Sequence, residues 1–150
     1  MKAFKFKLES VIQLRESKQA EAQQDHAAAG RVLEAALAEL AESRAGHNAL
    51  VQQLEEMQRA TFRPAERDIL WSALKYQKDH CNRLQHKADL AVKDREVKRE
   101  KLLAAQSEHE AMLKLREKDE LEYNRVAAQA ERAMVDDLVN SRHAARQRPG

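Results

Sequence analysis

The sequence predicts an all-α chain: two long helices forming an antiparallel coiled-coil hairpin, the second helix longer and overhanging the first. Three observations predict it. In 150 residues, 35% are charged, 4% aromatic and three are glycine, the usage of long helices and coiled coils. Apolar residues recur about every 3.5 positions along two stretches, which keeps one stripe facing a partner helix. Between the stretches lies one interruption, Thr61-Phe62-Arg63-Pro64, and Pro64 is the sole proline before Pro149. The length fits a single domain over 1–150, with a narrow seam for a core.

The first helix is expected over about 4–60. Its stripe runs Leu8, Ile12, Arg15, Gln19, Ala22, His26, Ala29, Leu33, Ala36, Leu40, Ser43, His47, Leu50, Leu54 and Met57. Val11, Leu14, Leu37 and Val51 fall just beside it and widen it locally. Gly46 with Asn48 is its weakest part, glycine costing about 1 kcal/mol against alanine. The reversal follows at about 61–64. An interior proline removes a hydrogen bond and clashes with the preceding turn, and it pushes Arg63 off helical angles. Pro64 suits the first turn of a new helix, with Glu66 and Asp68 near its positive end.

The second helix is expected over about 65–142. Its stripe runs Leu70, Leu74, Gln77, Cys81, Leu84, Ala88, Ala91, Arg95, Lys98, Leu102, Ala105, His109, Met112, Arg116, Asp119, Tyr123, Val126, Ala130, Ala133 and Asp137. Asp89 with Lys93 and Asp94 with Lys98 sit four apart in the favourable order. At 1.5 Å per residue the arms are roughly 85 and 115 Å long. A fold-back centred on Pro64 pairs Leu54 with Leu74 and Leu8 with the region of Asp119 and Glu120. From about Leu121 the second helix then stands alone, still carrying Tyr123, Val126, Ala130, Met134, Val135 and Leu138. An apolar face of that kind wants a partner. The basic tail, 143–150, is expected to fray.

Other chemistries find little support. The net charge of +2 says little about nucleic acid, and neither a zinc-finger pattern nor an aromatic platform is present. No apolar run approaches the ~20 residues that cross a bilayer. MKAFKFKLES has lysines without the apolar core of a signal peptide, so a cytoplasmic protein without membrane insertion is expected. Cys81 is the single cysteine, which agrees with a reducing compartment. Three glycines allow no phosphate-cradling loop. His109-Glu110 begins like a helical zinc motif, but its second histidine position holds Leu113. His80, Cys81 and His86 do not share a face as residues three or four apart would. His26, His47 and His109 read as polar seam residues that set register. No enzyme activity, cofactor or metal is expected.

The opening Phe4-Lys5-Phe6-Lys7-Leu8, followed by Val11-Ile12-Gln13-Leu14-Arg15, is unusual, because positions 4 and 6 cannot share one helix face. It resembles the FliJ family of bacterial flagellar export proteins, whose chains begin F-x-F-x-L before a V-L-x-L-R-like segment. The resemblance continues in Val97 to Ala105 and Met112 to Lys118. It closes on Met134-Val135-Asp136-Asp137-Leu138, where Asp137 stands for the more usual glutamate.

What the resemblance implies is a non-catalytic stalk of the flagellar type III export apparatus, similar to the central stalk of rotary ATPases. It would sit in the pore of the hexameric export ATPase, contact the membrane export gate and handle export chaperones. It would lie at the cytoplasmic face of the plasma membrane at the flagellar base, in the service of motility and chemotaxis. On that reading Phe4, Phe6, Leu8, Val11, Leu14, Arg15, Val126, Met134, Asp136, Asp137 and Leu138 engage the ATPase ring. Phe62, Trp71 and Tyr76, at the turn, lie nearer the gate or else cap the hairpin core. A monomer is expected. The alternatives are the equivalent stalk of a virulence-type secretion system and a generic homodimeric coiled-coil scaffold.

Overall fold

The computed structural model describes residues 2–147. It contains two helices, α1 (Glu9–Arg59) and α2 (Pro64–Gln147). The turn forms as its residues dictate. Pro64 is the first residue of α2 and has no N–H to give back to Ala60, so α1 cannot continue through it. The Arg63 carbonyl instead accepts from the Glu66 and Arg67 amides and starts the new helix. Ala60 N–H closes the last turn of α1 onto Met57 at 3.2 Å.

Two helix limits differ from the sequence expectation. α1 begins at Glu9 rather than near residue 4, because the opening has a period of two and not 3.6. Phe4 and Phe6 are half-buried while Lys5 and Lys7 are exposed, as an extended segment places alternate side chains on opposite sides. α2 continues to Gln147, so residues 143–147 of the basic tail are helical rather than frayed. No breaker precedes Pro149, and Arg142 and Arg146 suit the negative end of a helix. Residues 148–150 of that tail lie outside the described residues.

The chain divides into two compact units, Ala20–Ala104 and Met1–Gln19 with Ala105–Gly150. In the first, the turn unit, α1 and α2 run antiparallel. Ala29, Leu33, Ala36, Leu40, Ser43 and Leu54 of α1 are buried, as are Ala88 and Ala91 of α2. Every stripe position from Ala22 to Met57 is at least half-buried, and so is each from Leu70 to Leu102 except Arg95. Ala36, Leu40 and Ala88 form the tightest cluster, with Leu84 packed against it. Alanine on both sides lets the helices approach closely, since interaxial distance follows the side chains at the contact.

The register differs from a fold-back centred on Pro64. Glu39 pairs with Lys87 at 3.3 Å and Ser43 meets Cys81 at 3.0 Å, which centres the reversal near Phe62. At these two pairs the partner is displaced by two and four residues, because Pro64 belongs to α2 and not to the middle of the turn. Asp89 accepts from Gln85 at 2.9 Å. Among the described residues the expected pairs Asp89–Lys93 and Asp94–Lys98 do not form ion pairs.

In the second, the terminal unit, the first turns of α1 pack antiparallel on the later part of α2. Ile12 is buried. Arg15 meets Glu108 at 2.6 Å and Arg116 meets Glu9 at 3.4 Å, so Glu9 faces Arg116 where the Pro64-centred pairing set Leu8 against Asp119 and Glu120. Both ion pairs are exposed, and such pairs contribute about 0–1 kcal/mol. Tyr123 and Ala127 are the last half-buried positions of α2, and every residue from Ala128 to Gln147 is exposed. The lone stretch thus begins after Ala127 rather than at Leu121. The extended opening segment accounts for the difference, since it advances about 3.3 Å per residue against 1.5 Å in a helix.

Candidate functional site

The candidate residues fall into two groups, one in each unit. In the terminal unit, α2 carries Val126, Ala130, Met134 and Leu138 at four-residue steps, which puts them on one side of the helix. Val126 is 51% exposed, Met134 66% and Leu138 59%. Asp136 and Asp137 are also exposed; Asp137, three residues after Met134, lies on the stripe's side, whereas Asp136, two residues from both Met134 and Leu138, lies on the opposite side. Val135, and Val139, which was not singled out from the sequence, are equally exposed and widen it. The signal for Val139 was available: it follows Leu138 by one position, which on a helix turns the apolar face by about 100°.

The start of the chain supplies the other half of this group. Phe4 packs on Tyr123 with ring centroids 5.5 Å apart and planes tilted by 50°. The Tyr123 hydroxyl donates to the Lys2 carbonyl. An aromatic pair of this kind contributes about 0.5–1.5 kcal/mol beyond its buried area. Phe6 and Val11 are half-buried. Leu8 and Leu14 are exposed, and Arg15 is engaged by Glu108. The structure therefore brings Phe4 to the α2 stripe through Tyr123, while Leu14 stays apart from it.

Next to Tyr123, Arg125 donates through Nε to Glu122 at 2.9 Å and through Nη2 to the other carboxylate oxygen. This side-chain hydrogen bonding holds the Glu122 carboxyl below its ordinary range and the Arg125 guanidinium above its own.

In the turn unit, Phe62 is half-buried, Trp71 is 45% exposed and Tyr76 66%. Trp71 and Tyr76 are thus open to solvent rather than capping the core. Tyr76 lies parallel to the His80 ring with centroids 6.4 Å apart. Beneath it runs a polar section of the seam. Gln77 donates through Nε2 to the Ser43 carbonyl and hydroxyl at 2.9 and 3.0 Å, and that hydroxyl also meets Cys81 Sγ. Polar partners within an apolar seam favour one register at some cost in stability. Gly46 makes room for this arrangement, since a Cβ there would lie 3.2 Å from Gln77 Nε2.

No helix in the described residues is long and apolar enough to cross a membrane. Comparison with curated proteins returns no match. Among solved structures, CT670 of Chlamydia trachomatis, described as a YscO homolog, is similar with a TM-score of 0.78 and 17% identity. The likeness covers 97% of this chain and 98% of that one, and at this identity it speaks to the fold alone. The sequence profile of the flagellar FliJ protein family matches residues 4–148, nearly the whole chain, and the chain belongs to that family.

Proposed function

We propose that this chain is the non-catalytic coiled-coil stalk of the bacterial flagellar type III export apparatus. On this reading the terminal unit enters the ring of the hexameric export ATPase. The observation that carries it is the bare apolar stripe of α2, in which Val126, Met134 and Leu138 are all more than half exposed. A helix with an unpartnered apolar face is marginal in water, and an exposed patch of that kind marks an interaction surface. Asp137 lies on the stripe's side of the helix, and Asp136 belongs to the same ATPase-facing turn. Phe4, Phe6, Leu8, Val11, Leu14 and Arg15 belong to the same ATPase-facing unit.

The turn unit, with Phe62, Trp71 and Tyr76, faces the membrane export gate, and export chaperones are further partners. The protein works in the cytoplasm, peripherally at the membrane face of the flagellar base, and is monomeric by itself. Family membership over residues 4–148 supports an export role. A second reading, the equivalent stalk of a virulence-type secretion system, is kept in view by the whole-length likeness to the YscO homolog; the genes beside this one separate the two.

The test is a pull-down of the tagged full chain from motile, secretion-competent cells. Recovery of an export ATPase is the expected result, and its absence under conditions that preserve the export apparatus counts against the stalk.

A further inference from the structure

The start of the chain is strapped onto the very stripe that the stalk reading assigns to a partner. Residues 2–6 have no helical structure, and the helix proper begins at Glu9. Phe4 lies on Tyr123, and the Lys2 carbonyl accepts from the Tyr123 hydroxyl. Tyr123 and Ala127 are one turn apart on α2 and are its last half-buried positions. Their face continues through Ala130 and Met134, so the contact with Phe4 covers the beginning of a stripe whose remainder is bare. The side-chain attachment to α2 is slight, one ring pair and one hydrogen bond. Phe6 is half-buried with its carbonyl accepting from the Glu9 amide at 3.4 Å, and Lys5 and Lys7 are exposed between and beyond the two phenylalanines. A contact of this size opens readily, unlike the seam around Ala36, Leu40 and Ala88.

We propose that residues 2–8 form a latch: Phe4 occupies the first turn of the α2 apolar stripe at Tyr123, and a partner taking the whole stripe displaces it. The proposal rests on the stalk reading and adds its regulation. A closed latch lowers the apparent affinity of the stripe by the fraction of molecules that are open. Opening it adds Tyr123 to the surface offered, and frees Phe4 to take a new position. Sequence reasoning made Phe4 a direct contact of the ATPase ring; the latch instead makes it a competitor for Tyr123, and the two predict opposite effects of removing its ring.

Two measurements test this on the full chain. The first needs no partner. Trypsin cleaves after Lys5 and Lys7, and Phe4→Ala is expected to speed those cuts roughly 2- to 10-fold, the worth of an aromatic pair, with cutting elsewhere unchanged. Tyr123→Phe, which keeps the ring and removes the hydroxyl, gives a smaller increase. Unchanged cutting in Phe4→Ala overturns the latch, as does acceleration along the whole chain. The second titrates the purified export ATPase: Phe4→Ala is expected to bind more tightly than the wild type by a similar factor. Binding that is unchanged or weaker in Phe4→Ala overturns the latch and leaves the stalk standing. A wild-type chain that binds no ATPase overturns the stalk reading and the coupling with it.

Discussion

The turn unit and the bare end of α2 are made of the same material and used in opposite ways. Around Ala36, Leu40 and Ala88 the stripe of one helix meets the stripe of the other, and these residues are 2%, 3% and 1% exposed. Past Ala127 the repeat of apolar residues continues, but nothing in the described chain faces it, and Met134 is 66% exposed. A heptad pattern therefore specifies that a face is to be covered; it does not specify by what. In the turn unit the cover is the other half of the hairpin. On α2 beyond Ala127 the pattern is a requirement left open, which is why function is sought there.

That contrast is most sharply exposed by truncating a leucine on each side of it. Leu40→Ala removes side-chain volume from a closed seam and is expected to cost about 2–5 kcal/mol in urea denaturation. Leu138→Ala, at an open surface, should stay within about 0.5 kcal/mol of the wild type. Equal losses at both sites would mean that the α2 end is covered in the isolated protein, contrary to the account. Filling the seam is the next largest effect. Ala88→Leu inserts bulk where Ala36 and Leu40 already touch Ala88, and overpacking of this kind costs about 1–3 kcal/mol, measurable as a lower denaturation midpoint with an unchanged slope.

The glycines of α1 sharpen the comparison within the turn unit. Gly30 has open space where a Cβ would stand, so Gly30→Ala is expected to stabilise by about 0.5–1 kcal/mol through helix propensity alone. At Gly46 the same gain is set against Gln77, which would have to shift while holding Ser43, and a smaller gain or a net loss is expected. Thermal denaturation of the two variants side by side gives the order.

The smallest expected effect lies beside the latch. The hydrogen bond from Arg125 lowers the Glu122 carboxyl below its ordinary range. A carboxylate whose folded-state pKa is depressed adds stability above the unfolded value, and loses it as the pH falls through the folded one. Hydrogen exchange of the surrounding α2 turn should accordingly lose a little protection on acidification below the ordinary glutamate range, and Glu122→Gln should remove that dependence.

Much of the fold was legible in the sequence because a coiled coil has one rule. The stripe read from Ala22 to Met57 is at least half-buried at every position, and the reversal falls where Arg63 and Pro64 interrupt it. The register was less legible. A proline shows where a helix cannot pass but not where the loop is centred, and taking Pro64 as the centre shifted pairs such as Glu39–Lys87 and Ser43–Cys81 by two to four residues. The start of α1 was misplaced because the helix was extended back from the stripe's first residue, Leu8, over Phe4 and Phe6, whose alternation with lysine is an extended pattern. The unpartnered α2 stripe was foreseen, since the apolar spacing outruns the length of α1. The Phe4–Tyr123 contact was not, because nothing local to either residue announces the other. Leu14 and Trp71 show the remaining limit: an apolar type on a helix does not say whether it is packed or open.

The central claim is that the bare α2 stripe is kept for the export ATPase, and affinity measurement on purified components tests it most directly. Val126, Met134 and Leu138 are replaced together by Asp, and binding to the ATPase is titrated alongside circular dichroism. The account predicts a loss of about 100-fold or more, as for several central contacts of an interface, with the helical signal largely kept. Binding at wild-type strength by the folded triple variant would contradict it.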